Sequence, residues 1–202
     1  MTVFKVSAII LAAGYSGRME KFKPLLPMGG MSILERSIRL FQTAGIGDIR
    51  VVTGHRADEL LPLLGQLEIQ TIFNKHYEEG MFSSVKAGLE TLNPGHCEAF
   101  FILPADLPMV SPDTVIALLN AYYADRGGDI LHPSFQGKRG HPPLISICHA
   151  GNISAWKRGG GLRAFLSQHE DRAMDVPVPD EYILADLDTP GDYDKMLCEI
   201  RE

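Results

Sequence analysis

The sequence is 202 residues long, is 45% hydrophobic and carries a formal net charge of −6. A chain of this length buries a substantial core without disulfide or metal staples, which fits one compact domain spanning residues 1–202. No basic stripe dominates the sequence, so nucleic acid is not expected as a partner. An anionic ligand would have to be held locally, by loops and a metal ion, and not by the field of the whole molecule.

Cysteine usage and hydropathy together indicate the compartment. Cys97, Cys148 and Cys198 are far apart and odd in number, and they form neither a CxxC motif nor a familiar zinc spacing. The apolar residues 1–11 are too few to cross a bilayer and run directly into a glycine-rich loop, so they predict a strand and not a signal peptide. We therefore expect a reduced, cytoplasmic protein that does not contact a membrane.

Strands and helices alternate through residue 125. The predicted strands are residues 6–11, 48–53, 69–73 and 99–103, and the predicted helices are residues 32–44, 57–64, 83–92 and 112–125. Ser32 is the expected N-cap of the first helix, because Glu35 follows three residues later. The alternation is typical of a Rossmann-like three-layer α/β domain with a mostly parallel central sheet.

The regular alternation of strands and helices ends after residue 125. Short strands are predicted at residues 129–132, 144–148, 174–178 and 183–185, and helices at residues 162–168 and 189–200. A polar turn, residues 136–140, separates the first two of these strands. No repeat, linker or low-complexity segment divides the chain, so the second half is expected to belong to the same domain.

The loop after the first strand carries the strongest functional pattern. Its glycines, Gly14 and Gly17, let backbone N–H groups approach phosphate oxygens, and Arg18 and Lys23 add positive charge. We expect Lys23 on an exposed loop with no role in the core. The segment is not a Rossmann fingerprint, because prolines and glycines delay the next helix to about Ser32, and it lacks the Gly-Lys-Ser/Thr of a Walker loop.

Two acidic turns are candidate metal ligands. Asp106 ends the fourth strand between two prolines, and Asp186 and Asp188 precede the last helix. Magnesium prefers hard oxygens and needs only one or two carboxylates beside phosphate oxygens. Asp106 is otherwise a turn residue that satisfies nearby N–H groups, and Asp188 is otherwise the cap of the last helix. If the sheet is doubly wound, both turns emerge at the same edge.

Two further segments are candidates for ligand contacts. Gly80, Ser83 and Ser84 lie at the start of a helix, where hydroxyls and free N–H groups bind ligands, although serine there also serves as an ordinary cap. Arg139, in the polar turn at residues 136–140, and His141, just after it, could contact a phosphate group. A lone histidine before a proline is otherwise simply a turn residue.

The pattern Leu-Ala-Ala-Gly-x-Ser-x-Arg-Met-x-x-x-Lys, residues 11–23, resembles the signature loop of nucleotidyltransferases that make dinucleotide forms of the molybdenum cofactor. The wider group includes sugar-phosphate and cytidylyl transferases. The resemblance continues through residues 24–27, 51–54, 74–84, 104–108, 140–142 and 186–190. One departure is Glu20, where the family usually has glycine; a carboxylate beside a phosphate site is expected to point outward.

The resemblance implies one nucleotidyltransferase domain that uses Mg²⁺, CTP and a molybdopterin-type phosphorylated acceptor, with a molybdoenzyme or its chaperone as partner. Ala13 matches the cytidylyl form of the loop, and its methyl would narrow the base pocket. The implied catalytic residues are Arg18, Lys23 and Asp106, the metal ligands Asp106 and Asp188, the acceptor-binding residues Arg139 and His141, and the nucleotide-binding residues Leu11, Ala12, Ala13, Gly14, Gly17, Arg18, Lys23, Gly80, Ser83 and Ser84. The alternatives are a transferase that uses GTP or a sugar phosphate, or a non-catalytic cofactor-delivery protein.

Overall fold

The computed structural model of the protein describes residues 5–15, 17, 19, 21–124 and 128–200. The strands are β1 (Val6–Ala12), β2 (Pro27–Met28), β3 (Met31–Ser32), β4 (Asp48–Thr53), β5 (Gln70–Phe73), β6 (Ala99–Pro104), β7 (Ile130–Phe135), β8 (Lys138–Arg139), β9 (Leu144–Ser146) and β10 (Ala173–Pro177). The helices are α1 (Ile33–Thr43), α2 (Ala57–Gln66), α3 (Met81–Leu89), α4 (Pro112–Ala124), α5 (Ala150–Ala155), α6 (Gly161–Ser167) and α7 (Pro190–Ile200). Among the described residues, no helix has the length and apolar character needed to cross a membrane.

The central sheet has the strand order β10-β7-β9-β6-β1-β4-β5, and β8 pairs with β7 at the side. Pairs β6–β1, β1–β4, β4–β5 and β10–β7 are parallel, and β9 runs antiparallel to both β6 and β7. β2 and β3 form a separate small hairpin. The strands β1, β4 and β6 therefore present their carboxyl ends at one common edge, where loops of an α/β sheet bind ligands.

The two faces of the sheet are covered by two hydrophobic clusters. Side chains of β1 alternate between them, with Ala8 and Ile10 in one cluster and Ile9 and Leu11 in the other. One face packs against α1, α2 and α4, and the other against α3, α5 and α6. The core residues contributed by these helices include Leu34, Phe41, Leu60, Val115 and Leu118 on the first face and Val85, Leu89, Ile153 and Phe165 on the second. This arrangement confirms the three-layer α/β fold with a mostly parallel sheet.

The predicted elements are found with two notable differences. The strand expected at 183–185 is wrong: the segment is a 3₁₀ turn, Glu181–Leu184, because the Asp180 carboxylate accepts the N–H of Tyr182 at 3.1 Å and starts a tight turn. The strand expected at 144–148 ends at Ser146 and is followed by the 3₁₀ turn Ile147–His149. The hairpin β2–β3, helix α5 and the two-residue strand β8 inside the predicted turn 136–140 were not anticipated, because all are too short for a hydrophobic period to be read.

Helix α7 packs against the hairpin through a third cluster. Its buried members are Leu26, Met28, Ile33, Leu187 and Met196. The Tyr193 hydroxyl on α7 also donates a hydrogen bond to the carbonyl of Pro27. The C-terminal helix is thereby fixed beside the loop that follows β1.

Candidate active site

The first cavity lies at the carboxyl ends of β1 and β6 and has a volume of about 400 Å³. Residues from four segments converge there. They are Leu11, Ala12, Ala13, Gly14 and Tyr15 after β1, Lys23 and Pro24, then Tyr77, Glu78, Gly80, Met81 and Ser84, and finally Pro104, Ala105 and Asp106 after β6. The lining combines apolar side chains with the charged Lys23, Glu78 and Asp106, which suits a ligand that carries both an aromatic ring and phosphates.

One wall of this cavity is built on Gly54. A Cβ atom added there would lie 2.6 Å from the Tyr77 Cβ and 2.9 Å from the Ala13 Cβ, so only glycine permits this approach. The Tyr15 ring lies over His55, with 4.6 Å between ring centroids, and 5.7 Å from the Tyr77 ring. The tyrosines Tyr15 and Tyr77 thus place aromatic surface at the mouth of the cavity, where a planar base can be stacked.

Lys23 lies between the two predicted metal-ligand carboxylates. Its ammonium nitrogen is 3.4 Å from Asp106 Oδ2 and 3.3 Å from Asp188 Oδ1. The Lys23 side chain is only 12% exposed, so the expectation of an exposed loop lysine is wrong. The cause is the hairpin and α7, which fold over the loop and bring Asp188 to it. Residues 106 and 188 therefore meet around one cation although 82 positions separate them.

Tertiary contacts fix the second acidic turn in this orientation. Leu187 is fully buried, and its N–H donates to the Asp106 carbonyl at 2.8 Å, which joins the two turns directly. The Asp192 carboxylate accepts the Thr189 N–H at 2.7 Å, and the Thr189 hydroxyl accepts the Asp192 N–H at 3.2 Å. This reciprocal capping box serves the start of α7, so the Asp188 carboxylate is not its cap and is directed to Lys23.

A third carboxylate and an imidazole lie close to this pair. Burial and the negative charge of Asp106 raise the pKa of the Asp186 carboxyl above its ordinary value. Burial lowers the pKa of the His141 imidazole, and the carboxylates of Asp186 and Asp106 offset part of that shift. The site therefore concentrates the negative charge of several carboxyl groups around the Lys23 ammonium.

The donor set fits a hard divalent cation. Asp106 Oδ1 is buried and has no hydrogen-bond partner among the described residues, while Oδ2 faces Lys23. An unpartnered buried carboxylate oxygen is costly, and coordination to a cation would satisfy it. The oxygens of Asp106, Asp186 and Asp188 are the ligand type that magnesium and manganese prefer.

A second, larger cavity of about 900 Å³ adjoins the first. Leu11, Met81 and Pro104 line both. Its wall includes both residues predicted to bind the acceptor, Arg139 and His141. A Cβ at the intervening position 140 would lie 2.3 Å from a carbonyl oxygen, so glycine is required for the turn to pack.

Charged groups cluster around Arg139 in the lining of the second cavity. Arg139 forms ion pairs with Asp175 and with Glu170, whose Oε1 is 2.8 Å from Nη1. His132 lies in the same wall with its Nε2 buried and without a partner among the described residues. Burial, together with the positive charge of Arg139, lowers the pKa of His132 to about 4. A neutral imidazole and an anchored guanidinium therefore face this cavity.

The remaining predicted residues differ in position. Arg18 lies outside the described residues. Gly17 is exposed and lines neither of the two cavities. The Ser83 hydroxyl lies 2.8 Å from the carbonyls of His76 and Gly80 and accepts from Asn74 at 2.8 Å, so it is engaged within the turn. The other predicted nucleotide-binding residues line the first cavity.

Sequence reasoning missed several residues of the two cavities. Tyr15 occupies a variable position of the signature loop, yet a large aromatic residue between glycines was a usable signal. No sequence signal pointed to the other three residues, His132, Glu170 and Asp175. They come from β7, a 3₁₀ turn and β10, and they meet only through the parallel pairing of those strands.

Comparison with known proteins adds an independent observation. A family profile described as the MobA-like NTP transferase domain matches residues 8–173. A molybdenum cofactor cytidylyltransferase of Escherichia coli (strain K12) is 29% identical over 189 residues, which cover 93% of each chain. A probable molybdenum cofactor guanylyltransferase of Natranaerobius thermophilus is 26% identical over 144 residues, covering 71% of this chain and 66% of the relative.

Solved structures show the same fold. Rv0371c from Mycobacterium tuberculosis H37Rv superposes with a TM-score of 0.82 at 21% identity, covering 97% of this chain and 99% of that one. A structure of Rv0371C in complex with manganese gives a TM-score of 0.73 at 19% identity, with the same two coverages. A structural relative therefore takes a divalent metal ion.

Proposed function

Because the chain belongs to the MobA-like NTP transferase family and is a nucleotidyltransferase, we propose that it transfers CMP from CTP to the terminal phosphate of molybdopterin and releases pyrophosphate. The observation that carries this proposal is the junction of the two cavities. They share Leu11, Met81 and Pro104, and Lys23 and Asp106 line the first cavity while His141 lines the second. Two substrates bound side by side would place their reacting phosphates at this junction.

The first cavity is the proposed nucleotide site. The base would lie against Ala12 and Ala13 and beneath the tyrosines, with the ribose near Gly80 and Ser84. The Ala13 methyl packs close to Gly54 and reduces the space for the base in this cavity, which favours a pyrimidine over a larger purine. The cytidylyl relative covers more of the chain than the guanylyl relative does, which supports the same choice.

The acidic turns are the proposed metal site. Asp106 and Asp188 would hold Mg²⁺, with Asp186 as a neighbouring carboxylate that adds negative charge. The bound ion would neutralise triphosphate charge. Lys23 would then turn from the carboxylates to a phosphate oxygen, and Arg18, from the signature loop, would add a second positive charge.

The second cavity is the proposed acceptor site, and the reaction is an in-line displacement. An oxygen of the acceptor phosphate forms a bond to the α-phosphorus of CTP. The bond from that phosphorus to the bridging oxygen breaks, and the electron pair leaves with pyrophosphate. The acceptor phosphate is already ionised at neutral pH, so no general base is needed. The protein contributes positioning by Arg139 and His141 and charge stabilisation by Lys23.

The setting of the reaction is also proposed. Residues 1–202 would form one nucleotidyltransferase domain, because Leu187, which anchors the acidic turn, and Met196 of α7, which shares its hydrophobic cluster, both lie beyond the matched segment. The three cysteines are free thiols, which fits the reducing cytoplasm. The dinucleotide product would pass to a molybdoenzyme or its chaperone.

A pyrophosphate-release assay tests the proposal. The protein is incubated with Mg²⁺, purified molybdopterin and each of the four NTPs in turn. We expect release that requires both CTP and acceptor and is lost in Asp106→Asn. Pyrophosphate release with GTP as the preferred nucleotide would instead support a guanylyltransferase. Tight binding of nucleotide and acceptor without pyrophosphate release would indicate a cofactor-delivery protein.

A further inference from the structure

A second group of potential metal ligands lies outside both cavities. It consists of Asp129, immediately before β7, and Cys148 and His149 in the 3₁₀ turn after β9. One carboxylate oxygen, the thiol sulfur and one imidazole nitrogen lie within 4.8 Å of one another. The His149 Nε2 is 3.5 Å from Asp129 Oδ2. The nitrogen–oxygen separation is close to that between neighbouring ligands of a tetrahedral cation with bonds of about 2.0–2.3 Å, and the sulfur lies within 4.8 Å of both atoms.

His149 supplies a separate reason to expect a ligand here. Only 7% of the residue is exposed, and both of its ring nitrogens are buried without a hydrogen-bond partner among the described residues. The ring packs edge-on against Phe165 and lies 5.3 Å from the His169 ring, measured between centroids. A buried imidazole without a well-formed hydrogen bond is costly, since even the 3.5 Å contact of Nε2 with Asp129 Oδ2 is long. A cation bound at Nε2 would remove the part of that cost that falls on Nε2.

We propose that Asp129, Cys148 and His149 form a binding site for a thiophilic divalent cation, with Zn²⁺ as the best match. Thiolate and imidazole are the ligands that zinc prefers, whereas magnesium prefers oxygen alone. Three protein ligands leave a fourth position for water. Cys148 is exposed, so the fourth position and the thiol are reachable from solvent.

The charges of this site balance when the ion is bound. The Cys148 thiol releases its proton to solvent as the sulfur–metal bond forms, so a thiolate, a carboxylate and a neutral imidazole neutralise the 2+ ion. Arg172 is the competing cation, because its Nη1 lies 3.4 Å from Asp129 Oδ2. Its side chain is 56% exposed and can turn into solvent when the ion enters.

The fold separates this site from the nucleotide site. Ser146, just before the turn, pairs with Ala99 at the start of β6, whereas Asp106 follows the other end of that strand. The six-residue strand spans roughly 17 Å. The site lies at the amino end of the parallel strands, and its ion would join the start of β7 to the end of β9. The role of the ion would therefore be to stabilise the sheet at the amino ends of its parallel strands, and not to take part in the transfer reaction.

Cobalt(II) binding tests the proposal, because a cobalt–thiolate bond produces a near-ultraviolet charge-transfer band that oxygen ligands do not. The full chain is titrated with Co²⁺ in excess Mg²⁺, which occupies the oxygen site, and bound Co²⁺ is then displaced by Zn²⁺. We expect one equivalent with a thiolate band. Zn²⁺ at about 100 times its dissociation constant should raise Tm by about 5 °C or more.

The exposed cysteines provide matched variants. Cys148→Ser should lose the thiolate band and weaken binding at least tenfold, and Asp129→Asn should weaken binding with the band retained. Cys198→Ser removes another exposed thiol, outside the proposed site, and should change neither property. Absence of the band in the unmodified protein, or a band that survives Cys148→Ser, would overturn the proposal.

Discussion

Replacing Lys23 by methionine tests the charge balance of the active site. The ammonium lies 3.4 Å and 3.3 Å from two carboxylates, Asp106 and Asp188, and each contact has a gross Coulomb energy of about 5 kcal/mol at an effective dielectric constant of 20. Desolvation of Lys23 and the 43% exposure of Asp188 cancel most of this energy. We expect a net loss of about 2 kcal/mol of stability, which lowers Tm by about 4–8 °C for a chain of this size.

Thermal unfolding with and without Mg²⁺ measures this effect. Millimolar Mg²⁺ should restore at least half of the lost Tm in Lys23→Met, because the ion replaces the missing positive charge among the carboxylates. Turnover should stay about a hundredfold below that of the unmodified enzyme, since Lys23 would no longer stabilise the transition-state charge. Lys21→Met, an exposed neighbour in the same loop, is the control and should change neither property. An unchanged, magnesium-insensitive Tm in Lys23→Met would refute the coupling.

Three further predictions concern the same cavities. The enzyme should prefer CTP over GTP by at least about tenfold in kcat/KM, and Ala13→Gly should reduce that preference; equal use of both nucleotides would contradict the cytidylyl assignment. Asp106→Asn and Asp188→Asn should each abolish or severely reduce pyrophosphate release and change stability by less than about 1 kcal/mol, because Lys23 keeps the other carboxylate as a partner in each variant; a large loss of stability would indicate structural roles. The pKa of His132 is lowered from 6.5 to about 4, so the unfolded chain binds a proton there that the native protein does not. The contribution of His132 should thus lower the free energy of unfolding by about 3 kcal/mol as the pH drops from 6.5 to 4. Denaturant titrations of His132→Asn should show a correspondingly weaker dependence of stability on acid pH.

The regular elements were predictable because their signals are local. The apolar run of β1 and the Ser32 cap of α1, which accepts the Glu35 N–H at 3.1 Å, follow from residues within one or two turns. The resemblance drawn from the loop after β1 is confirmed by the family match. The strand predicted at 183–185 was wrong because the conformation of this segment depends on more distant contacts. The Asp180 side chain starts the turn, and the Ile183 carbonyl accepts the His141 N–H.

The sequence by itself determined the fold class and the family, since periodicity, turn residues and a contiguous motif are all encoded along the chain. The doubly wound topology also led us to expect Asp106 and Asp188 at one edge of the sheet, but only the tertiary structure placed the Lys23 ammonium between them. Lys23 faces Asp106 and Asp188 because a buried Leu187 and the capped start of α7 bring remote segments together. The same holds for Asp129, which reaches Cys148 and His149 only through the antiparallel pairing of β7 with β9. Contacts between distant residues depend on how hydrophobic faces pack in three dimensions, and no local pattern in the sequence specifies them.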